Sequence, residues 1–127
     1  MKHVFILLGL LNIVLIHAQQ DYKVIAVGFY NFENLFDTKD DPQNRGDDEF
    51  LPTSGKNWDK EKYQDKLSHL ADVVSELGTE LTPDGVAILG VAEVENRRVL
   101  EDFTHQTKVK DRNYQIIHFD SPDHRGI

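Results

Sequence analysis

No cysteine occurs anywhere in the 127 residues. Disulfides, thiolate catalysis and cysteine-ligated zinc are therefore excluded. Basic residues are also scarce: 14 Lys and Arg stand against 22 Asp and Glu, a formal net charge of -8. A protein that coats nucleic acid needs clustered cations against the phosphates, so the charge argues against that role. It does not exclude a nuclease, because a bound divalent cation reverses the field locally. No apolar run reaches the about 20 residues of a membrane-spanning helix. The longest such stretch, Val4 to Ile16, is interrupted by Gly9 and Asn12. Repeats and low-complexity tracts are missing too, and 39% apolar with 28% charged residues describes an ordinary globular chain. Its length accommodates one domain at most.

The apolar stretch follows a short basic start, Lys2-His3, and gives way to Ala18-Gln19-Gln20. That is the layout of a signal peptide over residues 1–19, cleaved after Ala18 or Gln19. A buried amino-terminal helix or strand is the alternative. The export reading places the protein in the periplasm or outside the cell, with no stable membrane association once the signal is removed. No cysteine follows the apolar core, so lipid attachment there is excluded.

Residues 20–127 then read as α/β. Tyr22 to Phe32 is rich in Val, Ile, Phe and Tyr, as a strand is. Asp37 to Trp58 is a long loop punctuated by Pro42, Gly46, Pro52 and Gly55. Tyr63, Leu67, Leu70, Ala71, Val74 and Leu77 recur at three- and four-residue steps, which predicts a helix from Asp59 to Leu77 stopped by Gly78. Val86 to Val94 reads as a second strand, and its near-continuous apolar character predicts burial on both faces. Asn96 is placed to cap a helix over Arg97 to Gln106, and Tyr114 to Phe119 alternates as a third strand. The order β-α-β-α-β gives the class. Three strands would leave unpaired edges, so the chain is expected to be the amino-terminal half of a larger domain.

Two polar stations close the first two apolar runs. One is Tyr30-Asn31-Phe32-Glu33-Asn34; the other is Val91-Ala92-Glu93-Val94-Glu95-Asn96. Ligand and metal sites in sheet-and-helix domains are commonly built at strand ends. Asn31, Glu33 and Glu93 supply hard oxygen donors of the kind Mg²⁺ takes. Each has a plainer reading: Asn31 as a turn residue, Glu33 as a solvated acid, Glu93 as a surface charge. Strand alternation puts Glu95 on the same face as Glu93, so the two compete for one role. The acids Asp37, Asp40, Asp41, Asp47, Asp48 and Glu49 of the loop fail the EF-hand spacing and read as solvated. His118 and His124 have no visible acid–base partner, and the cations Arg97, Arg98, Lys108 and Lys110 read as a helix exterior.

These stations carry a resemblance. Tyr30-Asn31-Phe32-Glu33-Asn34-Leu35, followed about sixty residues later by Ala87-Ile88-Leu89-Gly90-Val91-Ala92-Glu93-Val94, resembles the endonuclease/exonuclease/phosphatase superfamily. Asp48-Glu49-Phe50-Leu51-Pro52, then Trp58, is similar to its exported bacterial branch. Tyr30 stands where the family usually has Trp, and Ala92 where it has Gln. The resemblance implies a four-layer α/β sandwich, two central mixed sheets flanked by helices, of which residues 20–127 would be the amino-terminal part. It implies a Mg²⁺-dependent phosphodiester hydrolase, with Mn²⁺ or Ca²⁺ as alternative ions, and a nuclease first among its activities. Asn31 and Glu93 match the family's catalytic Asn and metal-binding Glu, and Glu33 lies where some members carry another metal-site acid. Arg125 is a candidate contact for a substrate phosphate. The family's catalytic His, its Asp-x-Asn pair and its final Asp-His belong to segments expected beyond Ile127, so this chain by itself is expected to be inactive. The competing functional reading is a non-catalytic secreted α/β remnant or binding module.

Overall fold

The computed structural model describes residues 22–127; the signal-peptide reading of residues 1–19 falls outside the described residues. The elements are β1 (Ala26–Leu35), a 3-10 turn (Asp48–Phe50), α1 (Lys60–Glu76), β2 (Val86–Val94), α2 (Arg97–Thr104) and a second 3-10 turn (Lys110–Arg112). β1 and β2 pair in parallel, from Ala26 opposite Val86 to Leu35 opposite Val94. Parallel pairing requires a crossover, and the loop with α1 supplies it. Both strands therefore finish at the same end of the sheet.

α1 forms where its apolar stripe predicts. Asp59 caps it by accepting from the Lys62 amide at 3.0 Å, and Gly78 follows at φ 76°, the left-handed exit that glycine adopts without a Cβ penalty. Tyr63, Leu67, Leu70, Ala71 and Val74 are buried along its inner face. They meet Phe32 and Leu35 of β1 and Val99, Leu100 and Phe103 of α2 in one cluster. Phe32 and Phe103 sit 4.8 Å apart between ring centroids, an arrangement that adds to simple area burial. Asn96 caps α2 through the Val99 amide, as expected, although the helix stops at Thr104 instead of Gln106. The Gln106 amide has turned back to the Phe103 carbonyl, which closes the helix early.

Three expectations are corrected. Strand pairing in β1 starts at Ala26, not Tyr22, and runs on to Leu35 through an irregularity after Asn31. β2 is not buried on both faces: among the described residues only Val86 of that strand is fully buried, and Ile88 is exposed beside Val27 and Phe29 of β1. The apolar run reported hydrophobicity, and one side of a two-stranded sheet has nothing described against it. Tyr114 to Phe119 is extended but joins no ladder. A cleft of about 590 Å³ opens between Ala87–Val91 and this segment. Side chains tether it instead: Tyr114 Oη donates to the Val86 carbonyl at 2.8 Å, and Arg97 Nη1 to the Ile116 carbonyl at 3.2 Å. No described helix is long and apolar enough to cross a membrane.

The loop between β1 and α1 is more structured than its composition suggests. Phe50 stacks on Phe36 with centroids 4.1 Å apart, Trp58 meets the edge of that pair, and Trp58 Nε1 donates to the Phe36 carbonyl at 3.0 Å. Asp37 and Asp47 are buried, not solvated.

Candidate metal and phosphate site

The backbone of both strand ends leaves ordinary strand geometry at the polar stations. Glu33, Asn34 and Glu93 have φ of 53°, 59° and 58°, the left-handed region that costs a non-glycine residue energy. Side chains and neighbours hold the distortion in place. Asn31 Oδ1 accepts from the Glu33 amide at 2.6 Å. Glu93 Oε2 accepts from the Asn34 amide at 3.2 Å, tying the two stations together. Lys66, reaching across from α1, donates to the carbonyls of Glu33 and Asn34. The expected trio of Asn31, Glu33 and Glu93 is thus gathered at one end of the sheet, with Asn31 and Glu33 exposed and Glu93 half-buried.

Beneath this trio lies a second layer of contacts. The Glu95 amide donates to the Leu35 carbonyl at 3.1 Å, and Glu95 Oε2 accepts from the Asp37 amide at 2.8 Å. That bond ties Glu95 to the exit of β1, while Glu93 is tied to the Asn34 amide. Burial, then the charges of Asp37 and Asp47, pushes its carboxyl up to about 7, against the opposing pull of the Asp37 amide and Arg98. The buried Asp37 carboxylate accepts from Arg98 Nε at 3.0 Å, from Asn96 Nδ2 at 3.1 Å and from the Lys39 amide at 2.6 Å.

Lys66 was not legible as a site residue. It sits one position before Leu67 on the flank of the α1 stripe, where a lysine reads as solvated. Here its side chain is half-buried and its ammonium lies 5.8 Å from the Trp58 ring centroid. Burial pulls its pKa below the ordinary lysine value, while the charges of Glu33 and Glu93 pull it back up. Arg125 is exposed and forks onto Asp123, with Nη2 to Oδ2 at 2.8 Å. That bond raises the guanidinium pKa most, and the Glu93 charge contributes in the same direction. The turn bearing Arg125 packs against the loop so closely that a Cβ on Gly46 would fall 2.1 Å from the Arg125 carbonyl oxygen. His118 lines a cavity of about 340 Å³ together with Glu93, and its Nδ1 lies 3.8 Å from Asp120. His124 is exposed.

Residues 26–127 match the family model described as the Endonuclease/Exonuclease/phosphatase family. The chain belongs to that family. Searches among curated proteins and among solved structures each found no match. Endonuclease/exonuclease/phosphatase proteins are phosphodiesterase- and nuclease-like hydrolases that generally depend on a divalent metal. The strand-end residues fit such an ion. Glu93 spends Oε2 on the Asn34 amide, and its Oε1 takes no protein hydrogen bond among the described residues. Asn31 Oδ1 has a second lone pair beyond the one given to Glu33, and the Glu33 carboxylate is exposed. All are hard oxygen donors, and the Lys66 ammonium beside them offsets part of the acidic charge.

Proposed function

We propose that this chain carries metal- and phosphate-binding residues of an exported Mg²⁺-dependent phosphodiester hydrolase, with nucleic acid as its substrate class and nuclease as the activity that fits best. Residues 1–19 are the signal peptide in this reading, delivery is to the periplasm or the exterior, and residues 20–127 belong to a four-layer sandwich. The observation that carries the proposal is the junction of the two strand ends. Glu93 is hydrogen-bonded to the Asn34 amide, and both carboxylate-bearing backbones, at Glu33 and Glu93, are left-handed. Backbone held in costly geometry by several independent contacts is characteristic of functional sites.

Glu93 holds the ion through its free oxygen, with Glu33 as a second carboxylate and Asn31 as a neutral amide that contacts ion or phosphate without repelling the anion. Mn²⁺ and Ca²⁺ suit the same donors less selectively. When bound, the ion neutralises charge on the phosphate oxygens and on the leaving oxygen. The Asn34 amide keeps Glu93 from rotating away. Lys66 fixes the two carbonyls of the bulge and so sets where the Glu33 carboxylate stands. Arg125 serves as a phosphate contact once released from Asp123. The net charge of -8 opposes polyanion binding at a distance, so recruitment of substrate depends on the loaded ion.

Calorimetric titration with Mn²⁺ and Mg²⁺ tests this reading, with far-UV circular dichroism as the control for folding. Glu93→Gln keeps an acceptor for the Asn34 amide but removes the charge, and is expected to weaken Mn²⁺ binding at least about tenfold, since even outer-shell changes cost that much. Mn²⁺ binding unaltered in Glu93→Gln would remove Glu93 from the site.

A further inference from the structure

A second group of carboxylates lies in the loop between β1 and α1, away from the strand ends. One oxygen each from Asp40, Asp47 and Asp48 falls within 4.8 Å of the others. Acidic clusters of this kind are common on surfaces and need no ion, but Asp47 is not on the surface. It is 1% exposed. Its Oδ2 accepts from the Asp41 amide at 2.7 Å, while its Oδ1 is buried with no hydrogen-bond partner. A buried carboxylate oxygen without a donor or a cation is costly, and native structures rarely leave one so. The nearby Arg45 does not relieve it: Arg45 Nε lies 3.6 Å from Asp48 Oδ2, and its side chain is 93% exposed. Two further carboxylates beside Asp47 would only raise the cost, unless a cation sits among them.

We propose that Asp40, Asp47 and Asp48 bind a Ca²⁺ ion at a site separate from the strand-end residues. The orphan Oδ1 of Asp47 becomes a ligand, and the three carboxylates converge on one charge instead of repelling one another. Ca²⁺ fits better than Mg²⁺ here. Ca²⁺ accepts several protein carboxylates in irregular arrangements at about 2.3–2.6 Å, whereas Mg²⁺ usually keeps its waters and takes one or two carboxylates. Three acids from an irregular loop match the first habit. The ion would anchor the segment that leads into Phe50, whose ring packs on Phe36 and Trp58. It would therefore brace the aromatic cluster behind the β1 exit.

Calorimetric titration of the full chain with CaCl₂ and with MgCl₂, followed also by the fluorescence of the single tryptophan, Trp58, tests the site. Asp40 and Asp48 are exposed, so Asp40→Asn/Asp48→Asn is expected to fold, with circular dichroism as the check. The expected result is Ca²⁺ binding in or below the millimolar range of extracellular Ca²⁺ modules, weakened at least about tenfold in that double variant. Glu33→Gln/Glu93→Gln removes the acids through which the strand ends would take Ca²⁺ and is expected to leave unchanged the binding that depends on Asp40 and Asp48, which separates failure of this site from failure of the strand-end site. No binding up to about 10 mM Ca²⁺, well above that range, overturns the proposal. So does binding indifferent to Asp40→Asn/Asp48→Asn, binding lost only with Glu33 and Glu93, or Mg²⁺ binding to the loop as tightly as Ca²⁺.

Discussion

Replacing Arg98 with Ala should destabilise the protein by about 2 kcal/mol, and most of that loss should vanish when Asp37 is neutral. Asp37 is 5% exposed and its partner's side chain 46% exposed, so one end of the pair is buried and the other meets water. Stripping a fully buried carboxylate of its cation costs about 3–5 kcal/mol, because the charge is left uncompensated. Two features reduce the figure here. Water reaches the vacated arginine position, and Asn96 Nδ2 and the Lys39 amide still donate to Asp37. A fully exposed pair would give only about 0–1 kcal/mol, so the expected value lies between these limits. Urea unfolding followed through Trp58 is well placed to read it, since Trp58 Nε1 bonds the carbonyl of Phe36, the residue before Asp37. The midpoint should fall without a change in slope. In the cycle of Arg98→Ala, Asp37→Asn and the double variant, the coupling should be about 1–2 kcal/mol. A coupling below about 0.5 kcal/mol, the size of additivity error between independent sites, would refute the claim that this pair stabilises the fold.

Two further predictions concern the same end of the sheet. Glu95, raised from near 4.5 to about 7 chiefly by burial, keeps its proton in the folded chain over a range where the unfolded chain has lost it. Its contribution is complete below about pH 4.5 and is lost as pH rises through 7. Glu95→Gln preserves an acceptor for the Asp37 amide and does not titrate. It should therefore match the wild type near pH 5 and exceed it near pH 8 by about 2 kcal/mol, a figure discounted for partial exposure. Equal effects at both pH values in urea unfolding would sink this account. Glu33→Gly should raise stability by up to about 1 kcal/mol, because glycine adopts φ 53° without the Cβ penalty and the Glu33 amide and carbonyl keep their bonds. The same variant should bind Mn²⁺ more weakly; a loss of stability would show that the carboxylate itself supports the fold.

Much of this arrangement was legible in the sequence, and what was not has identifiable causes. α1 follows from its stripe because period and burial coincide, and its caps at Asp59 and Gly78 are local chemistry. β2 occupies Val86–Val94 as read, and Asn31, Glu33 and Glu93 do share one end of the sheet, because parallel strands deliver their carboxyl termini together. The alternation in Tyr114 to Phe119 gave a period but named no partner, and among the described residues no ladder forms. Asp37 and Asp47 read as solvated because the partners that cover them are not marked in the local sequence: Arg98 and Asn96 about sixty residues on for the first, the closure of its own loop for the second. Lys66 was missed for a related reason. A lysine beside an apolar stripe has no sequence mark telling whether its ammonium meets water or the carbonyls of a bulge 32 and 33 residues earlier.

The left-handed turn at Glu93 also explains how two acids two residues apart acquire different work. In a regular strand Glu93 and Glu95 would project from the same face and compete for one set of partners. At φ 58° the backbone breaks that alternation. Glu93 meets the Asn34 amide with one oxygen spare, and Glu95 meets the Asp37 amide, where burial pushes its carboxyl up to about 7. A carboxylate with an oxygen to spare suits an ion; one that burial drives toward protonation suits a hydrogen bond. The strain is therefore part of how the site sorts its acids. Its cost is offset by bonds from Asn31 and Lys66 that would have no purpose in an unstrained strand.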